Sequence, residues 1–167
     1  MVVLSMTACN HTGPKSEINP LREDVGLLSA PNTDPFEAFA ELFSESASFA
    51  YAIVGGHKVL LVSQEVFGNN DNDGNRAIET SIFVQDSIGK IMTLGSIRSQ
   101  GTLYPVSILD GKLMVAGHQF VKIYSIRGDV PELLLDSYQE GESQEMTEMF
   151  KTFEKGTPIK FKNSPKE

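Results

Sequence analysis

Tight-turn pairs cut this chain into short apolar runs, and that rhythm limits its fold more than any other feature. Phe49–Val54 and His57–Val62 are separated only by Gly55-Gly56. A two-residue Gly-Gly loop supplies the positive φ values of a tight hairpin, so the two runs are predicted to pair antiparallel. Asp110-Gly111 gives the same signal between Thr102–Ile108 and Lys112–Ala116. Arg127-Gly128-Asp129 turns Gln119–Ile126 into Glu132–Tyr138, and Ser87-Ile88-Gly89-Lys90 joins Ala77–Val84 to Ile91–Ile97. These gaps leave no room for the roughly dozen-residue crossover that parallel neighbours need. The expectation is an antiparallel meander of about seven or eight strands. Pro105 has no N–H to donate to a ladder, so it is expected at an edge or a bulge.

Helical spacing flanks the strands. Asp34-Pro35-Phe36-Glu37 has a capping carboxylate, a proline suited to the first turn and an acidic residue beside the free N–H groups. Phe36, Phe39, Ala40 and Phe43 then recur at i, i+3, i+4 and i+7, which predicts an amphipathic helix over 35–47. At the other end Met146, Met149, Phe150 and Phe153 repeat that spacing behind a capping Ser143, with Lys151, Lys155 and Gly156 at the stop. Both stripes are the ordinary pattern of core-facing helices. Residues 157–162 are expected to add an edge strand. The fold class is therefore α+β: an N-terminal helix, the meander, and a C-terminal helix packed on the sheet. One sheet face is expected under the helices and the other partly solvated.

The single cysteine carries the strongest functional signal. Met6-Thr7-Ala8-Cys9 places a hydrophobic residue and two small residues before Cys9. The order resembles the lipobox of bacterial lipoproteins. The resemblance implies cleavage after Ala8, a diacylglycerol on the Cys9 thiol, and a mature chain of 159 of the 167 residues. Two or three acyl chains hold a protein to a membrane far better than one. Residues 1–8 carry no Lys or Arg and too short an apolar stretch for a whole signal peptide. They read as its last part, with the true start upstream of Met1. The alternative is a frayed apolar tail with an incidental Cys. Residues 9–33 are polar and broken by Gly13, Pro14, Pro20 and Pro31, a tether composition. The expected organisation is a residual signal peptide (1–8), a tether (9–33), one globular domain (34–163) and a tail (164–167).

Charge and composition exclude several classes. With 14 basic and 22 acidic residues the net charge is −8, which argues against nucleic acid and against electrostatic docking on anionic lipid. One Cys rules out an internal disulfide framework and multi-Cys zinc sites.

Few residue patterns carry chemistry. Asn69, Asp71, Asp73 and Asn75 place oxygen side chains at alternate positions, with Gly74 between the last two. Calcium loops use that alternation because such side chains converge on one ion. The twelfth position from Asn69 is Thr80 where a bidentate carboxylate is required, and turns use the same residue types. No cofactor is expected apart from this calcium candidate. His57 and His118 are the isolated histidines of the strand region, and neither forms a helical metal pair. No nucleophile motif or phosphate-binding glycine loop is present. Arg127-Gly128-Asp129 matches an adhesion tripeptide, but it falls where a hairpin turn is needed.

Taken together, Thr7-Ala8-Cys9, Phe49-Ala50-Tyr51-Ala52-Ile53, Asp110-Gly111-Lys112, Val121–Ile126 and Glu132–Ser137 resemble small uncharacterised lipoproteins of Gram-positive bacteria. The likeness covers most of residues 34–162. Related chains often place an Asp-rich loop in the first hairpin, where this one has Gly55-Gly56. The resemblance implies a lipid-anchored protein of the cell membrane's extracytoplasmic face, with the membrane as partner through Cys9. The expected role is a non-catalytic module for a protein or small-molecule ligand. The alternatives are a cell-envelope hydrolase built from distant carboxylates and a His, or a calcium-stabilised structural domain.

Overall fold

The computed structural model describes residues 34–43, 45–68, 74–141 and 144–163. The predicted signal remnant, tether and tail, Cys9, Asn69, Asp71, Asp73 and the Ser143 cap lie outside the described residues. The elements are α1 (Pro35–Ala40), β1 (Ser48–Val54), β2 (His57–Ser63), β3 (Val66–Phe67), β4 (Arg76–Ala77) and β5 (Glu79–Gln85), followed by β6 (Ile91–Arg98), β7 (Ser107–Leu109) and β8 (Lys112–Gly117). The chain continues through β9 (Phe120–Arg127), β10 (Glu132–Glu140), α2 (Gln144–Glu154) and β11 (Thr157–Pro158). The fold is mostly β, and its ladders are antiparallel.

The meander is divided into two sheets, β1-β2-β5-β6 and β10-β9-β8-β7-β11, with β3-β4 as a small separate hairpin. One buried cluster joins their inner faces: Val59, Leu61, Ile82, Val84 and Ile97 from the first, and Leu113, Val115 and Ile126 from the second. The outer faces carry their own clusters. Leu60, Val62 and Phe83 pack with Phe36 and Ala40 of α1. Met114, Ala116 and Val121 pack with Phe153 of α2. Burial on both faces explains the unbroken apolar run Val59-Leu60-Leu61-Val62: odd residues face the other sheet and even ones face α1. The expected single sheet with one solvated face is thus replaced by two stacked sheets with a helix against each outer face.

Three predicted elements differ. The first helix ends at Ala40, not residue 47, because the i to i+3 bonds Leu42 N–H to Phe39 and Phe43 N–H to Ala40 tighten it into a turn. That turn brings Phe43 to 5.6 Å from Phe83 and 6.2 Å from Phe49, so aromatic packing overrides the helical spacing. Residues 102–106 are not a strand. Tyr104 N–H closes a turn on Gly101 O, and Val106 bonds across to Ala77 and Ile159, which carries the chain from one sheet to the other. The predicted last strand shrinks to β11 plus single bridges of Phe161 to Asn75 and Lys162 to Phe49. Among the described residues there are eleven strands, the short pieces included, against the seven or eight expected.

Candidate functional site

Two hollows open on the described surface. The first, about 420 Å³, is lined by Asp34, Phe36, His57, Lys58 and Gln85 among others. Asp34 is the cap predicted for α1: its Oδ1 accepts from Phe36 N–H at 2.9 Å. Its Oδ2 takes Lys58 Nζ at 2.5 Å. The ammonium also sits 5.0 Å from the Tyr51 ring centre and 5.8 Å from that of Phe36. Burial alone pushes the Asp34 carboxyl up, but the Lys58 and Phe36 hydrogen bonds and the Lys58 charge outweigh it and hold the group low. Lys58 therefore latches the start of α1 to β2, and its charge is already spoken for.

The second hollow, about 290 Å³, lies on the outer face of the first sheet and is lined by Ser63, Gln64, Glu65, Glu79, Thr80, Ser81 and Arg98 among others. Arg98 reaches Glu79 at 3.1 Å, and Ser81 Oγ lies 3.0 Å from Ser96 Oγ. A bulge makes this possible. Ile82 faces Gly95 but Phe83 faces Thr93, so Leu94 is the extra residue, and Gly95 takes φ +108°. The slip leaves Leu94 and Ile97 facing the core, and it sets Ser96 opposite Ser81 and Arg98 opposite Glu79. The hollow thus offers a ligand a carboxylate–guanidinium pair beside the Ser81 hydroxyl, a set suited to hydrogen-bonding polar groups. Sequence reading missed it, because its members are distant in the chain and only the bulged register aligns them.

The predicted site residues fall elsewhere. His57 lines the first hollow next to the Gly55-Gly56 turn, whose Gly55 N–H bonds Gly111 O. His118 follows the far end of β8, where its backbone N–H bonds Gln100 Oε1 and its ring meets Tyr104. The six residues of β8 lie between those ends, roughly 20 Å of strand, so the two histidines do not meet. Asn75 sits at the base of the 69–75 loop, where its carbonyl accepts Phe161 N–H at 2.7 Å. Among the described residues no group of three His, Cys, Asp or Glu could hold a metal ion.

Arg127 of the Arg127-Gly128-Asp129 turn is ion-paired. Its guanidinium bonds Asp136, which also takes Lys112 Nζ at 2.5 Å. The Lys112 hydrogen bond, with both positive charges and against burial, holds the Asp136 carboxyl below its ordinary range. Asp136 is the extra residue of a second bulge, in β10 between Leu135 and Ser137.

No family model matches this chain, and no curated protein and no solved structure matches it. Among the described residues no helix is long and apolar enough to cross a membrane.

Proposed function

We propose that this chain is a lipid-anchored surface protein on the extracytoplasmic face of a bacterial cell membrane, a non-catalytic binding or interaction module. The observation that carries the reading is Met6-Thr7-Ala8-Cys9 followed by a polar, Pro- and Gly-broken stretch that runs to Asp34. Thr7 and Ala8 fit a peptidase that needs small side chains before the acylated Cys, as the resemblance to small Gram-positive lipoproteins implies. The stretch 10–33 is then the tether, and α1 is the first element after it. The Lys58–Asp34 latch supports this arrangement, since it fastens the point where the tether meets the body. In this reading the −8 charge serves solubility outside the membrane, and lipid supplies the attachment. The hollow around Glu79 and Arg98 supports the binding role, with a polar ligand as its natural occupant.

Metabolic labelling with a fatty-acid analogue tests the anchor in bacterial cells that express the protein behind a complete lipoprotein signal peptide. Wild type is expected to incorporate label and to fractionate with membranes, whereas Cys9→Ala does neither. Equal labelling of the two, or no label on either, overturns the proposal.

A further inference from the structure

We infer that the end of the sandwich where α1 begins is a lipid-contacting surface, with Ile88 and Val130 as its apolar tips. The inference rests on the lipid-anchor reading and says which part of the body meets the bilayer. Four hairpin turns share that end: 55–56, 86–90, 110–111 and 128–131. Val59 faces Val84, so the turn after β5 lies at the same end as the turn before β2. Gly55 N–H bonds Gly111 O and the residue lies against the Ile126 backbone, so the second sheet brings its two turns to that end as well. Asp34 is held there by Lys58, and residues 1–33 therefore join the body at this end.

Two of the most exposed large apolar side chains stand on these turns. Ile88 is 84% exposed and Val130 is 75% exposed, while Ile53 stands exposed just before Gly55. The 86–90 turn does not need an aliphatic residue. Asp86 Oδ1 accepts the N–H groups of Ile88 at 3.0 Å and Lys90 at 2.8 Å, and Gln85 Nε2 reaches Gly89 O at 2.9 Å. This bracing fixes the backbone whatever occupies position 88, and it presents Ile88 outward with its ordering cost already met. Leu103 is as exposed, at 78%, but lies at the opposite end beside Tyr104 and His118. The tip-bearing end carries both signs of charge, Lys90, Lys112 and Arg127 with Asp86, Asp110, Asp129 and Glu132. Its attraction to a bilayer is therefore apolar and does not depend on anionic headgroups.

Two aliphatic tips are too few to hold a free protein on a bilayer, and the anchor changes that. The 24 residues 10–33, taken as a coil, span about 25–30 Å. That keeps the turns near the surface at an effective concentration on the order of millimolar, where weak contacts fill. The eight residues of β9 span about 27 Å, so the Leu103 end stands off by that distance when the turns touch. The occupant is thus the lipid surface to which this same end is tied.

The chain has one Cys and no Trp, which makes the test direct. The full chain is coupled through Cys9 to a maleimide headgroup in phosphatidylcholine vesicles, and single Trp reporters are read against brominated phosphatidylcholine. Ile88→Trp and Val130→Trp should each lose about half of their emission or more, and Leu103→Trp less than about a tenth. Val130→Glu added to Ile88→Trp should reduce the loss to the Leu103→Trp level, with an unchanged thermal melt. Phosphatidylglycerol at about one part in five should not increase the quenching. Equal quenching at the three positions, none at any, indifference to Val130→Glu, or a rise with phosphatidylglycerol would overturn the inference. Chemical coupling replaces acylation, so the two readings fail separately. An unlabelled Cys9 in cells removes the anchor and leaves this measurement valid, whereas unquenched tips beside a labelled Cys9 remove only the contact.

Discussion

Residues 157–162 stitch the two sheets together along the β1 and β7 edges, whereas among the described residues no segment bridges β6 and β10. On the closed side β11 pairs with β7, Ile159 N–H bonds Val106, and Phe161 and Lys162 bridge to Asn75 and Phe49. Ile159 and Phe161 are buried in the cluster that joins the sheets. On the open side Met92, Leu94 and Leu133 reach that cluster from half-exposed positions. The same hydrophobic core is thus sealed by a backbone ladder at one edge and by side chains alone at the other. Stability is expected to concentrate where the chain closes on itself, and local opening where it does not.

Substitutions can break that contrast, beginning with the largest effect. Phe161→Ala empties a fully buried site on the closed side and is expected to cost about 3–5 kcal/mol, read as a shift in urea midpoint. A loss below about 1 kcal/mol would remove the distinction between the two sides. Gly55→Ala comes next. Gly55 has φ +58°, and an added Cβ would lie 2.0 Å from the Ile126 carbonyl oxygen, where the first hairpin's turn presses on β9. The strain and the forced backbone shift should cost about 2–4 kcal/mol, seen as a lower thermal midpoint.

Asp34→Ala removes the cap and the Lys58 partner, with an expected loss of about 1 kcal/mol at neutral pH. Because the folded carboxyl is held low, its contribution is present above the unfolded value near 3.8 and disappears as pH falls through the lower folded value. Wild-type and variant stabilities should therefore converge in acid; a constant gap from pH 7 to pH 2 would refute the latch. The smallest effect is expected from Leu135→Ser on the open side, within about 0.5 kcal/mol in the same urea titration.

The hairpins could be read in advance because a two-residue reversal needs backbone conformations that few residues adopt freely. Gly55-Gly56 and Asp110-Gly111 meet that need, and both turns form where expected, with positive φ at all four residues. The stripe Met146, Met149, Phe150 and Phe153 likewise becomes α2. The first helix is shorter than its spacing predicts: Phe43 fits the helical period, but its ring reaches Phe49 and Phe83 from a turn. The Glu79–Arg98 pair was not legible, since it depends on a register that the Leu94 bulge shifts by one residue.

The sequence by itself determined the local conformations: which residues reverse, which alternate, which repeat at helical spacing, and that the strands run antiparallel. Those follow from φ preferences and side-chain periods, which act over a few residues. Only the tertiary structure decided that the meander splits into two sheets after β6, that each outer face meets one helix, and which edges remain open. Sheet partition depends on where Val106 finds Ala77 and Ile159. Such long-range backbone bonds leave no periodic trace in the chain, because any strand with the right alternation offers the same donors and acceptors.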